Sequence, residues 1–284
     1  MYNKGLYSDW VPKPVQLLLI VLLLAVVMPI GGVYTGNISS LVGGTGAMTE
    51  YFMWANYATT IGMGACMPVV IRIKMRFKVR DKLVLLLVLL GLLSYINGTT
   101  LQPMVFIFTS LLIGFMKMMV TIELFLPLMV MIGNRGMFYG AFYTFVLVMN
   151  QVATYYAAEF ALMYNWQQFY LFTAVLCFIL ALIHWIFMHN KYFALKVPLH
   201  YIDWLSILLF ISTFMFSAYV YSFGRQQDWF NSKNIMNASI AAFVSFALLS
   251  IRQLTLKRPY LSFKIFKKIM YSTVCLCFFG WECF

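Results

Sequence analysis

The chain holds 284 residues, 63% of them hydrophobic and only 10% charged, with 27 Phe, 20 Met and a formal net charge of +12. Soluble domains run at about 45–50% apolar and about 25% charged residues, so this composition excludes a soluble enzyme or a nucleic-acid binder and points to an all-α polytopic membrane protein. Whether the basic excess seeks anionic partners or simply orients the chain in a bilayer depends on where it lies.

A bilayer core needs about 20 mostly apolar residues per helical span. Eight spans are predicted in chain order: Val15 to Thr35, Tyr51 to Ile71, Leu83 to Thr99, Met104 to Leu126, Met137 to Phe160, Trp166 to Met188, Trp204 to Phe223, and Asn234 to Ile251. A ninth begins near Ile269 and meets the chain end at Phe284. The apolar runs are continuous and lack the period-two alternation of a transmembrane barrel, so helices are expected.

With the N-terminus inside, seventeen of the twenty basic residues fall in inner segments, six of them between Arg72 and Lys82 and six between Arg252 and Lys268. That asymmetry predicts a cytoplasmic N-terminus and accounts for the charge without nucleic acid. The first apolar run ends in no small-residue cleavage site and reads as an uncleaved anchor. The expected setting is the inner (cytoplasmic) membrane of a cell, with the lipid bilayer as chief partner.

Sites for covalent or metal chemistry are sparse. Cys66, Cys177, Cys275, Cys277 and Cys283 lie in or beside spans, where cysteine acts as a small apolar residue. The pair Cys275 and Cys277 has no supporting histidine or carboxylate, and His184, His189 and His200 are spaced too irregularly for one metal-binding helix face. No G-x-S-x-G, H-E-x-x-H or Walker A run occurs. The expectation is therefore no enzyme, no cofactor and no bound metal.

Polarity inside the spans is more informative, because an ionisable group there is costly and faces a cavity or a partner. Lys117 lies near the middle of the fourth span and Glu123 six residues further on. At about 100° per residue they are roughly 120° apart around the helix and do not share a stripe. Lys117 is therefore expected to meet a substrate anion or a carboxylate of another helix. In the fifth span Gln151, Tyr155 and Glu159 recur at i, i+4 and i+8, with Asn150 and Thr154 widening the face. This stripe reads either as the wall of a hydrophilic path with Glu159 exchanging a proton at its outer mouth, or as a solvated helix end. Gly62 and Gly64 suggest close helix packing, and Pro29 with Gly31 and Gly32 a flexible gate near the outer surface.

Several local sequences, in order, resemble the fourteen-helix drug:proton antiporter branch of the major facilitator superfamily, the EmrB/QacA type. Trp54, Tyr57 and Pro68 resemble that family's W-x-x-x-Y-x-L stretch running to a proline. The basic loop with Arg76, Phe77, Arg80 and Asp81 is similar to the superfamily's gating loop between its second and third helices. Asn165-Trp166-Gln167-Gln168-Phe169 resembles the W-R-x-x-F entry to helix six. Asp203-Trp204 and the run from Gly224 to Trp229 and Ser232 resemble the family's D-W/Y-x-G start and G-x-x-x-x-W-x-S end of helix seven, and Arg258-Pro259-Tyr260-Leu261 its R-P-L-L segment.

The resemblance implies a major facilitator superfamily fold: a cytoplasmic N-terminus at 1–14, an N-terminal six-helix bundle at 15–188, a cytoplasmic loop at 189–203, two additional central helices at 204–251, a basic loop at 252–268, and the start of a second bundle at 269–284. It implies a secondary transporter, a proton-coupled exporter of lipophilic or amphipathic small molecules working by alternating access. The candidate substrate and proton pathway is Lys117, Glu123, Asn150, Gln151, Tyr155 and Glu159, with Arg76, Arg80 and Asp81 in the gating loop. The working parts depart from the family pattern: Met75 stands at the loop aspartate, Ile71 and Lys78 at the loop glycines, and Ser110 and Ile113 where an arginine and a glutamine are expected. These departures, with the chain end inside a span, keep open a second class, a non-transporting membrane interaction protein or a truncated remnant of a transporter.

Overall fold

The computed structural model describes residues 6–8, 10–190, 202–256 and 260. The predicted ninth span with Cys275, Cys277 and Cys283, the loop residues 191–201 with His200, and 257–259 and 261–268 of the basic loop lie outside the described residues, as do residues 1–5. Among the described residues the protein is all-helical: α1 Lys13–Val27, α2 Ile38–Thr45, α3 Thr49–Arg76, α4 Val79–Thr99, α5 Pro103–Ile132, α6 Arg135–Met163, α7 Trp166–Phe187, α8 Trp204–Phe223 and α9 Lys233–Thr255. Four of these, α5, α7, α8 and α9, are long and apolar enough to cross a membrane. The architecture is that of an α-helical membrane protein.

Local chemistry explains the boundaries. Prolines open α1 and α5, where a missing N–H costs nothing. Gly133, at φ +75°, turns the chain between α5 and α6, and the Asn134 side chain caps α6 by accepting from the Met137 N–H at 3.3 Å. Asp203 caps α8 in the same way through Ser206. Pro68 and Pro127 sit inside α3 and α5 without ending either helix.

The first predicted span needs correction. Its helix stops at Val27 rather than reaching Thr35, because Pro29 cannot donate the next helical hydrogen bond; the segment from Met28 to Tyr34 is irregular, and the chain resumes in a 3₁₀ turn at Thr35–Asn37 and the short α2.

α5 packs along α3 and α4, α4 pairs with α7, α6 leans on α7 and on the Thr35–Asn37 turn, and the α8–α9 hairpin docks on α3. The α3–α5 contact is a backbone approach: a Cβ on Gly62 would lie 2.1 Å from the Leu111 carbonyl oxygen, and one on Gly114 1.9 Å from that of Thr59. Leu23, Leu83, Leu87, Val120 and Leu124 fill the larger core, while Tyr34, Phe52, Phe106, Trp166 and Tyr170 fill a second, aromatic core. The N-terminal segment lies across the end of α7, where the Ser8 N–H donates to the Phe187 carbonyl at 3.0 Å and Tyr7 is buried.

Candidate functional site

Irregular backbone buried among helices leaves polar groups without helical partners, and each must be satisfied by something else. The interruption at Met28–Tyr34 meets that demand with side chains from four helices. The Gly32 carbonyl accepts from Asn97 Nδ2 of α4 at 3.2 Å and from the Tyr170 hydroxyl of α7 at 3.3 Å. The Gly32 N–H donates to Thr59 Oγ1 of α3 at 3.4 Å. Asn97 Oδ1 in turn accepts from Thr109 Oγ1 of α5 at 2.5 Å. Asn97, Tyr170, Thr59 and Thr109 are all buried.

Lys117 completes the set. Its Nζ donates to the Ile30 carbonyl at 3.1 Å, and the residue is only 9% exposed. The expected carboxylate from another helix is not what it meets; its partner is a neutral carbonyl just beyond the C-terminal end of α1, where the helix dipole favours a cation. At the predicted gate the chain is closely packed. A Cβ on Gly32 would fall 1.4 Å from Ser110 Oγ, so glycine is required there by close packing within a stapled segment.

Beside the interruption lies a cavity of about 270 Å³ between the end of α1, α6 and α7. Pro29 and Tyr34 of the irregular segment line it, together with Tyr156 and Phe160 of α6 and Phe169 and Phe172 of α7. Its aromatic walls interlock, with Tyr34 edge-on to Phe169 at 4.7 Å and Phe160 at 5.6 Å from Phe169 between ring centroids. Such a space takes an apolar or aromatic body and offers few polar groups to orient it.

Glu123 belongs to a separate cluster nearer the basic turn between α3 and α4. Lys82 Nζ lies 2.6 Å from its Oε2 and Lys74 Nζ 4.0 Å from its Oε1, with all three residues buried. Lys74 also donates to the backbone carbonyls of Ile122 and Glu123 at 3.2 and 3.4 Å. Lys117 and Glu123 thus go to different partners, as their angular separation anticipates.

Of the residues expected in a gating loop, Arg76 ends α3 and Arg80 and Asp81 lie in the first turn of α4; Arg80 Nε is 3.5 Å from Asp81 Oδ1 on the exposed surface, and Asp81 Oδ2 accepts from Asn190 Nδ2 at 2.9 Å, tying the start of α4 to the segment just after α7. Arg76 is exposed. On α6, Gln151 and Tyr155 are exposed while Asn150, Thr154 and Glu159 are half-buried. Thr154 Oγ1 lies 3.3 Å from Thr35 Oγ1, and Tyr155 is within hydrogen-bonding reach of Glu159 one turn on. The structure brings neither Lys117 nor Glu123 to this stripe.

The residues of the family-like motifs have local structural work. Trp54 Nε1 donates to the Met215 carbonyl at 3.1 Å, joining α3 to α8, and Tyr57 stacks edge-on against Tyr221. The Trp166 carbonyl accepts from Asn37 Nδ2 at 3.4 Å. Asp203 takes a bidentate contact from Arg252 of α9, with Arg252 Nη2 at 2.8 Å, and the guanidinium holds the Asp203 carboxyl below the usual carboxylate range. Gly224 lets the Trp229 ring close over the α8–α9 turn, where a Cβ would meet Trp229 Cε3 at 2.7 Å; Asp228 and Trp229 both adopt positive φ there.

Asn97, Thr109, Thr59 and Tyr170 escaped the sequence reading as functional candidates. The available signal was polar side chains in four spans, the second, third, fourth and sixth, together with a proline-glycine interruption in the first. No protein-family model matches the chain, and no curated protein matches it.

Proposed function

We propose that the protein is a secondary active transporter of lipophilic or amphipathic small molecules, working by alternating access, multi-pass in a cell membrane with its N-terminus cytoplasmic. The observation that carries the proposal is the interrupted first span, stapled by Thr59, Asn97, Lys117 and Tyr170 from four helices beside an aromatic-lined cavity. Discontinuous spans near the bilayer midplane are a recurrent device for ligand sites in transporters, because they expose backbone polar groups where ordinary helices expose none.

The proposal assigns the proton as coupling ion, with Glu159 of the α6 stripe as the exchanging carboxylate.

The test is reconstitution of the full chain into liposomes carrying an imposed pH gradient, with a panel of lipophilic dyes of either charge. Gradient-dependent movement that collapses with a protonophore is the expected result. Correctly inserted, monodisperse protein that moves no dye under any gradient would favour the non-transporting interaction protein instead.

A further inference from the structure

We propose that the cavity between the end of α1, α6 and α7 binds neutral, rigid aromatic molecules of about the size of naphthalene, bearing at most one small polar group. The proposal narrows the substrate class of the transporter reading and rests on that reading for its biological role. Size sets the first limit. An apolar protein cavity of about 150 Å³ accepts one benzene ring, and at about 270 Å³ this one has room for a second, fused ring.

Charge sets the second limit. Among the described residues the lining holds no Asp, Glu, Lys, Arg or His; Lys117 is not part of it, and neither is Glu159, although Phe160 beside it in sequence is. An ion entering the cavity loses its hydration and meets no counter-charge, a cost that a neutral ring system escapes. The hydroxyls of the lining are those of Tyr34, Thr173 and Tyr156. Thr173 Oγ1 donates to the Tyr170 carbonyl at 2.9 Å, and Tyr34 is within hydrogen-bonding reach of Thr173, so these two buried groups are already engaged. Tyr156 stands at the rim with Val152 and Phe172, all three exposed. A ligand's single polar group therefore belongs at the mouth beside Tyr156, with its rings inward.

The walls set the third limit. Tyr34 stands edge-on to Phe169 at 4.7 Å, and Phe160 lies 5.6 Å from Phe169 and 5.7 Å from Phe172 between ring centroids. Rings set at such different angles turn both edges and faces to the space they enclose, and an aromatic guest gains edge-to-face contacts there that a saturated one does not. A rigid guest also gives up less conformational freedom on entry than a flexible alkyl chain of similar volume. Both differences favour an aromatic molecule over a lipid tail.

The experiment is equilibrium dialysis of the full chain in phosphatidylcholine nanodiscs, blanked against empty nanodiscs. The probes are 2-naphthalenemethanol, the ions 2-naphthoate and 2-naphthylmethylammonium on the same skeleton, the saturated decahydro-2-naphthalenemethanol, and 1-decanol as a stand-in for a lipid tail. The aromatic alcohol is expected to bind saturably, at least about tenfold more tightly than either ion and at least about threefold more tightly than the saturated alcohol or decanol. Val152→Trp, which fills the mouth from an exposed position on α6, abolishes that binding; Leu147→Trp, exposed on the same helix outside the lining, leaves it unchanged. No saturable binding of the aromatic alcohol, equal binding of an ion, the saturated alcohol or decanol, or binding that survives Val152→Trp overturns the proposal. If Val152→Trp does not yield monodisperse protein, the ligand comparison on the unmodified chain decides alone. Selective binding with no movement of the alcohol or of any dye in liposomes would overturn the transporter reading and leave this one standing; movement of charged dyes without saturable binding of the alcohol would do the reverse.

Discussion

Lys82 Nζ and Glu123 Oε2 lie 2.6 Å apart in the buried interior between α4 and α5, and Lys74 of α3 shares the same carboxylate. The cluster carries two cations on one anion, so its members are not equivalent. Replacing Glu123 with Ala removes the buried carboxylate that Lys82 and Lys74 share, a change expected to cost about 3–5 kcal/mol. Lys82→Met leaves Lys74 and Glu123 as a balanced pair and is expected to cost much less. Thermal unfolding of the detergent-solubilised protein checks the order; equal losses would mean that the carboxylate does not neutralise the cluster.

Much of the helical layout is legible from apolar run length, because the bilayer imposes one requirement on every span. The start of α8 at Trp204 and the ends of α4 at Thr99 and α8 at Phe223 coincide with the predicted limits. Long-range pairing is not legible in that way. The 120° offset separates Lys117 from Glu123, yet nothing local says that Glu123 faces Lys74 and Lys82 or that Lys117 reaches back to Ile30, since those contacts depend on which helices become neighbours. The first span misled for a related reason: its apolar composition runs past the proline that ends its helix. Asp203 and Trp54 stand out as motif residues, whereas their partners, Arg252 and the Met215 carbonyl, emerge only with the docked hairpin.

Close backbone contact makes the glycines of α3 and α5 unequal to those elsewhere. Gly114→Ala places a methyl against the Thr59 carbonyl and Gly62→Ala one against that of Leu111, so each is expected to destabilise by about 1–3 kcal/mol through overpacking. Gly140→Ala in α6 meets nothing within 4 Å and is expected to be neutral or mildly stabilising. Melting temperatures of the three variants test this; a Gly114→Ala protein as stable as Gly140→Ala would show that α3 and α5 do not approach so closely.

The Asp203–Arg252 contact makes the α8–α9 hairpin sensitive to acid. Arg252 lowers the folded-state pKa of Asp203 below its unfolded value of about 3.9, so the pair's contribution is complete above about pH 4 and disappears as pH falls through the lower folded value. Asp203→Asn should remove this contribution at pH 7 and flatten the acid limb of the stability profile. Arg252→Gln should bring the folded-state value back toward the unfolded one and so flatten the same limb in part, because the carboxyl loses its first stabilising partner but keeps Ser206. Thermal stability measured from pH 7 to pH 3 distinguishes these outcomes from a pair that contributes nothing.

Two donors share the Gly32 carbonyl, and that sharing predicts how their losses combine. Tyr170→Phe removes one hydrogen bond while Asn97 still satisfies the oxygen, so it should cost little beyond one net bond, about 1 kcal/mol. Asn97→Ala costs more, because it also strips Thr109 Oγ1 of its acceptor Oδ1 and leaves a small void, although Thr109 retains a bond to the Val105 carbonyl. The double variant leaves the Gly32 carbonyl without a donor among the described side chains in a region that water does not readily reach. Its loss should therefore exceed the sum of the single losses by about 1 kcal/mol or more, the cost of an unsatisfied buried carbonyl. A double-mutant cycle on thermal stability measures that excess. Strict additivity would mean that the interruption is held by Thr59 and Lys117 alone, and that Gly32 does not depend on either donor.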